Sequence, residues 1–354
     1  MNKKTTLFIN IIFVTVILVF FAVAKIMTDR ASDTSEQIRD DIIILEPDRE
    51  ISALYERDGR VYVGTDKGVG IYDEDTLQCV SRIDDLNLIY SAGITGTPDG
   101  CIFIGHEKGL TCIYPDGSRE EFSHPDIPDG RVNTVVFDGE NIWCGTYDGA
   151  AVLRLSDGKW SIDRLLSSKT GLICDSVNAI LPVGDDIIIG SYLETDHGGI
   201  SVLYEDGQID HIGISEGLPH PYVTSLAALG NGTVLAGCGY MTDGGLAVLK
   251  KDNGSYRISG TYTKDDGLPG EKIRSIYTDD RCVIISTEYD GVEIIDLKNT
   301  ENGSVEQFED NDLKNGTYLR EENGLSNNEI KCIIRAGDYY WMGSKYGLDL
   351  IPAQ

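Results

Sequence analysis

Val61-Tyr62-Val63-Gly64, a polar turn, then Gly68-Val69: an apolar strand closes on a small residue, and a glycine opens a second strand. This stretch returns six more times. Later copies close at Gly105, Gly145, Gly190, Gly237, Ser286 and Gly343, and reopen at Gly109, Gly149, Gly199, Gly245, Gly291 and Gly347. Successive copies lie 40 to 57 residues apart. Short strands recurring at such a period specify a β-propeller. The runs Ile187-Ile188-Ile189 and Val283-Ile284-Ile285 are apolar at consecutive positions, the pattern of a strand buried on both faces. Trp143 and Trp341 hold equivalent places in two copies and are read as packing between blades. The expectation is an all-β, seven-bladed β-propeller over residues 41–354.

Each copy resolves into four strands. In the first these are 51–56, 60–64, 69–72 and 78–83, with a turn at Asp58-Gly59. Asp99-Gly100, Asp116-Gly117, Asp157-Gly158, Asp206-Gly207, Asn231-Gly232, Asn253-Gly254 and Asn302-Gly303 read as further two-residue hairpin turns. That role also accounts for the Asn-Gly-Ser/Thr triplets at 231, 253 and 302 without invoking glycosylation. The seventh copy ends one strand short. Asp41-Ile42-Ile43-Ile44-Leu45 precedes the first blade and is expected to fill that gap, leaving no open edge. Residues 299–315 form an insertion in the sixth blade with no assigned structure.

The chain opens with Lys3 and Lys4 and an apolar run, 7–24, which as a helix spans roughly 27 Å, enough to cross a bilayer. Charge asymmetry around it puts residues 1–6 in the cytoplasm and the propeller outside. Ala22-Val23-Ala24 also fits a signal-peptidase site, so a cleaved leader is the competing reading. Both export the propeller, with 25–40 as a flexible stalk. A net charge of −28 repels phosphate backbones and argues against nucleic-acid binding. The eight cysteines are scattered over the repeats without CxxC pairs and read as reduced, buried hydrophobes. Cys101 and Cys112 flank one hairpin, and a register of Ile102 opposite Cys112 sends their thiols to opposite sheet faces.

In such a blade the turn between strands two and three shares a face with the connections between blades. Two of these turns are long: Ser191-Tyr192-Leu193-Glu194-Thr195-Asp196-His197 and Cys238-Gly239-Tyr240-Met241-Thr242-Asp243. Tyr147, Asp148, Glu288, Tyr289, Asp290, Lys345 and Tyr346 belong to the same face, with His220 and Tyr222 from a connection. Aromatics mixed with carboxylates on projecting loops suit a carbohydrate, a peptide or a small cationic ligand. Histidines 106, 124, 197, 211 and 220 show no metal-ligand spacing, and Asp310-Asn311-Asp312 lacks the rest of a calcium loop. Glu194, Asp196 and His197 are the one group placed for acid–base chemistry. The sequence thus calls for no catalytic residues, metal or cofactor.

Gly-Leu pairs lead into four blades at fixed offset: Gly171-Leu172 to Val177-Asn178-Ala179-Ile180, Gly217-Leu218-Pro219 to Val223, Gly267-Leu268-Pro269 to Ile273, and Gly324-Leu325-Ser326-Asn327 to Ile330. With Trp341-Met342-Gly343-Ser344-Lys345-Tyr346-Gly347-Leu348, this resembles the two-component regulator propeller repeat. The first three blades lack the pair. The resemblance implies an extracellular sensor region like that of bacterial hybrid two-component receptors. Those receptors usually carry more repeats and a kinase, so a single propeller is expected to signal through a partner protein. The expectation is a membrane-anchored, extracytoplasmic ligand-binding propeller. The alternatives are a cell-envelope protein scaffold and a propeller lyase or glycosidase.

Overall fold

A computed structural model describes residues 41–88, 90, 92–192, 197–297 and 316–353. The expected cytoplasmic segment, membrane span, stalk and 299–315 insertion lie outside the described residues, as do Glu194 and Asp196. Seven four-stranded antiparallel sheets form the ring. The blades cover 51–83, 94–122, 132–166, 177–212, 223–262, 273–319 and 330–352. The closing strand, Ile43–Leu45, pairs antiparallel with the last strand, Ile43 facing Leu350 and Leu45 facing Leu348. Residues 43–45 and the strands of 330–352 therefore share one sheet.

The core consists of apolar clusters between successive blades. Ile187 and Ile189 pack towards blade 3 with Trp143, while Ile188 packs towards blade 5 with Val223 and Val234. Val283 and Ile285 likewise face blade 5, and Ile284 faces blade 7. Consecutive apolar residues are thus each buried, on alternate faces, for about 1.5–3 kcal/mol apiece. Trp341 joins the cluster with Ile51 and Val63 that seals blade 7 to blade 1.

The small residue ending the second strand has a steric cause. A Cβ on Gly145 would lie 2.6 Å from Val177 Cγ1, and one on Gly237 2.5 Å from Ile273 Cγ2. In each case the first apolar residue of the next blade fills the space. Ser286 is the exception, and its hydroxyl donates to the Ile330 carbonyl at 2.7 Å.

Three local expectations need correction. Asp58-Gly59, Asp157-Gly158 and Asn253-Gly254 have positive φ at both residues, as a two-residue turn requires. At 99–100, 116–117, 206–207 and 231–232 only the glycine does. There the glycine N–H closes a wider turn, as from Gly117 to the Tyr114 carbonyl at 2.9 Å. The Asp116 carboxylate stabilises that turn by accepting from the Ser118 N–H at 2.9 Å. The second correction concerns Cys112, which faces Phe103 rather than Ile102. This one-residue shift puts Cys101 and Cys112 on the same face, in one cluster between blades 2 and 3. All eight cysteines are free thiols, and Cys79 is exposed rather than buried.

Candidate functional site

Six inner strands carry a β-bulge after their first residue. The extra residue re-aims its side chain towards the axis of the ring. Ser52, Asn133, Asn178, Thr224, Arg274 and Lys331 hold this place, and Ala92 completes the circle in blade 2. Together they line a cavity of about 190 Å³ in the central channel. Sequence reading passed over these residues. The available signal was the polar residue after the first apolar residue of each inner strand.

Most of these side chains reach to the following blade. Asn133 Nδ2 donates to the Val177 carbonyl and Asn178 Nδ2 to that of Thr224, both at 3.1 Å. Thr224 Oγ1 donates to the Ile273 carbonyl at 2.6 Å. Arg274 pairs with Glu329 at 3.2 Å, and Lys331 with Glu50 at 2.5 Å. That last pair bridges the two ends of the described chain. Burial works to raise the Glu50 carboxyl, but the Lys331 hydrogen bond and charge outweigh it and hold it below the usual carboxylate range.

On the face above, the structure gathers part of the predicted set. Tyr222 is buried, with the rings of His220, Tyr192 and Tyr240 around it at 4.8, 5.1 and 5.4 Å. Lys272, missed in the sequence, places its ammonium 5.9 Å from the Tyr192 ring and 5.7 Å from that of Tyr240. It also pairs with Glu288, which accepts from the Tyr289 hydroxyl at 2.9 Å. Burial acts to raise Glu288, and Lys272 overcomes it, leaving the carboxyl low. The aromatic cage suited to a cationic ligand is therefore filled by the chain's own lysine.

His220 Nδ1 accepts the Tyr222 N–H at 3.0 Å, so any proton on the neutral ring sits on Nε2. Burial, aided by Lys272, holds its pKa below the ordinary histidine value, against the opposing charge of Asp243. Asp243 itself is exposed, paired across its hairpin with Tyr240. His197 is exposed on its turn.

The remaining predicted residues stand apart. Tyr147 lies under the Arg131 guanidinium at 5.1 Å, sharing it with Tyr90 at 4.9 Å, and Asp148 is exposed beside it. Lys345 Nζ is 5.6 Å from the Tyr346 ring in blade 7. A larger cavity, about 540 Å³, opens on the opposite face between blades 3 and 4. Its Asp138 is already engaged, accepting from Trp143 Nε1 and the Asn141 N–H, both at 2.6 Å.

No family model matches this chain. No curated protein matches it either. Solved structures do. The extracellular domain of a putative hybrid two-component system from B. thetaiotaomicron is similar at 17% identity and a TM-score of 0.65, over 87% of this chain and 39% of that one. This chain thus spans about two fifths of that domain. Virginiamycin B lyase from Staphylococcus aureus is similar at 14% identity and a TM-score of 0.62, over 88% and 99% of the two chains. PorZ, a surface component of the type-IX secretion system of Porphyromonas gingivalis, follows at 15% identity and a TM-score of 0.59, covering 84% and 46%. At these identities the likeness is one of fold, shared by an extracellular domain of a two-component system, a lyase and a secretion component.

Proposed function

We propose that this propeller is an extracytoplasmic binding module that senses a ligand at its channel mouth and passes occupancy to a partner membrane protein. One observation carries the reading: exposed aromatic side chains concentrate around that mouth. Tyr240 and Tyr289 are exposed there by 43% and 56%, above a polar cavity, and Tyr90 and Tyr346 are exposed further round the same face. Rigid tyrosines over a desolvated centre are the usual anchors of a recognition surface. The apolar run at 7–24 supports tethering at a membrane, and the resemblance to sensor repeats supports a signalling role. The carboxylates Glu50, Glu288 and Glu329 are each tied to a cation, which suits them to holding charge in place rather than donating protons. These pairings favour the binding reading over an acid–base one.

A thermal-shift panel of oligosaccharides and peptides on the purified protein tests this. The expected result is a saturable shift that Tyr240→Ala and Tyr289→Ala abolish. Absence of any shift, with capture of envelope proteins on the same face, would put the scaffold reading in its place.

A further inference from the structure

Arg131, in the connection into blade 3, is held by aromatic rings alone. Its guanidinium lies over the Tyr90 ring at 4.9 Å and the Tyr147 ring at 5.1 Å. Among the described residues it forms no ion pair and no side-chain hydrogen bond. Arg60, Arg119 and Arg274, by contrast, each meet a carboxylate. Acidic residues outnumber basic ones by 58 to 30, so composition does not account for an arginine without one. The nearby Asp129 carboxylate accepts the Arg131 backbone N–H at 3.2 Å instead.

Both rings are fixed from behind. Tyr90 sits at φ 63°, in the left-handed region that a bulky L residue adopts only at a cost. Its N–H donates to Glu50 Oε1 at 3.0 Å. Tyr147 belongs to the turn joining the second and third strands of blade 3. Thr146 Oγ1 closes that turn, donating to the Gly149 carbonyl at 2.8 Å and accepting the Asp148 N–H at 3.2 Å. Arg131 is half-buried and Tyr90 is exposed, so the clamp stays open to solvent. A guanidinium on ring faces keeps its five N–H donors in its own plane, the fork that a carboxylate matches with two parallel bonds.

The charge of the whole chain narrows the anion. At −28 the protein repels a polyanion, whereas a single carboxylate neutralises the one cation of this clamp. We infer that Arg131, clamped by Tyr90 and Tyr147, receives one carboxylate group of the ligand as a bidentate pair. The inference rests on reading this face as the binding face, and it adds a charge requirement to the ligand.

Ligand-observed NMR titration of the purified protein tests it with two acids and their neutral counterparts: galacturonate against galactose, and N-acetylalanine against N-acetylalaninamide. At least one acid is expected to bind about tenfold more tightly than its counterpart, and which one it is tells a sugar acid from an amino-acid carboxylate. Added salt is expected to weaken that preference. Arg131→Gln, checked for folding by circular dichroism, is expected to abolish it, and Arg131→Lys, which keeps the charge without the fork, to retain only part. Equal binding of acids and neutral forms in the unmodified protein overturns the inference even if the variants misfold. So does a preference that Arg131→Gln leaves untouched, or sulfate bound more tightly than either acid. If no acid is preferred while an oligosaccharide or peptide is held by Tyr240 and Tyr289, the clamp fails and the binding face stands. If the acids bind through Arg131 and neither Tyr240→Ala nor Tyr289→Ala changes any ligand's binding, the clamp stands and those two tyrosines fail as anchors.

Discussion

Asp349 accepts two hydrogen bonds from Ser326, the backbone N–H at 3.0 Å and the hydroxyl at 2.8 Å. Ser326 follows the Gly324-Leu325 pair, so this bond pins the loop leading into blade 7 to the third strand of that blade. Blade 4 makes the same connection with other atoms: Ser201 Oγ accepts the Ile173 N–H at 2.8 Å. In blade 6 the corresponding residues are Glu293 and Pro269. Proline has no N–H to give.

Replacing Asp349 by Ala is expected to destabilise the protein by about 1–3 kcal/mol, because the Ser326 N–H loses its acceptor in the interior. Asp349→Ser, which copies blade 4, is expected to restore much of that loss. Urea unfolding midpoints of the three proteins check both outcomes.

Glu293 is fully buried, with no cation paired to it among the described residues and the Tyr318 hydroxyl beside it. Burial pushes its pKa up to about 8 from an ordinary 4.5, against the lowering influence of the nearby Tyr318 hydroxyl. Between these values the folded chain holds a proton that the unfolded chain has released. Its contribution is therefore fully present below pH 4.5 and is lost as pH rises to about 8, at about 1.4 kcal/mol per unit. Glu293→Gln is expected to flatten this part of the stability profile. Parallel pH dependence in the two proteins would reject the assignment.

Gly237→Ala is expected to cost about 1–3 kcal/mol through overpacking against Ile273. Combined with Ile273→Ala, which removes the nearest atom, the pair should cost at least about 0.5 kcal/mol less than the sum of the single changes. Additive effects would show that the two blades do not meet at this glycine.

Lys272→Ala empties the cage of Tyr192 and Tyr240 and leaves Glu288 unpaired. The variant is expected to regain thermal stability from added methylammonium, in proportion to its concentration, while the unmodified protein does not respond. An equal response in both would remove the cage as the cause.

Deletion through Leu45 exposes the edge of Leu348–Pro352. A lower unfolding temperature and concentration-dependent association are expected, because an unpaired strand edge recruits another chain. Scanning calorimetry and light scattering read these two effects.

The sequence alone determined the blade count, the strand order within a blade and the closure, because each rests on local sterics that recur. Gly145 and Gly237 must be small wherever a neighbouring Val or Ile fills the gap, and Ile187-Ile188-Ile189 must be apolar wherever a strand is buried on both sides. Tyr192 and Tyr240 were placed on one face by their long turns, whereas Tyr90, in the connection before blade 2, carried no such signal. Register was less legible: a one-residue shift at Phe103 brought Cys101 and Cys112, expected on opposite faces, to the same face. Only the tertiary structure decided what fills the centre. Asn133, Asn178, Arg274 and Lys331 look like solvated strand residues in sequence and reach the axis because a bulge turns each inward. Lys272 looks like a loop charge, yet it occupies the cage, and Lys331 meets Glu50 across 281 positions of chain. Such pairings depend on the ring closing, and nothing within one repeat records them.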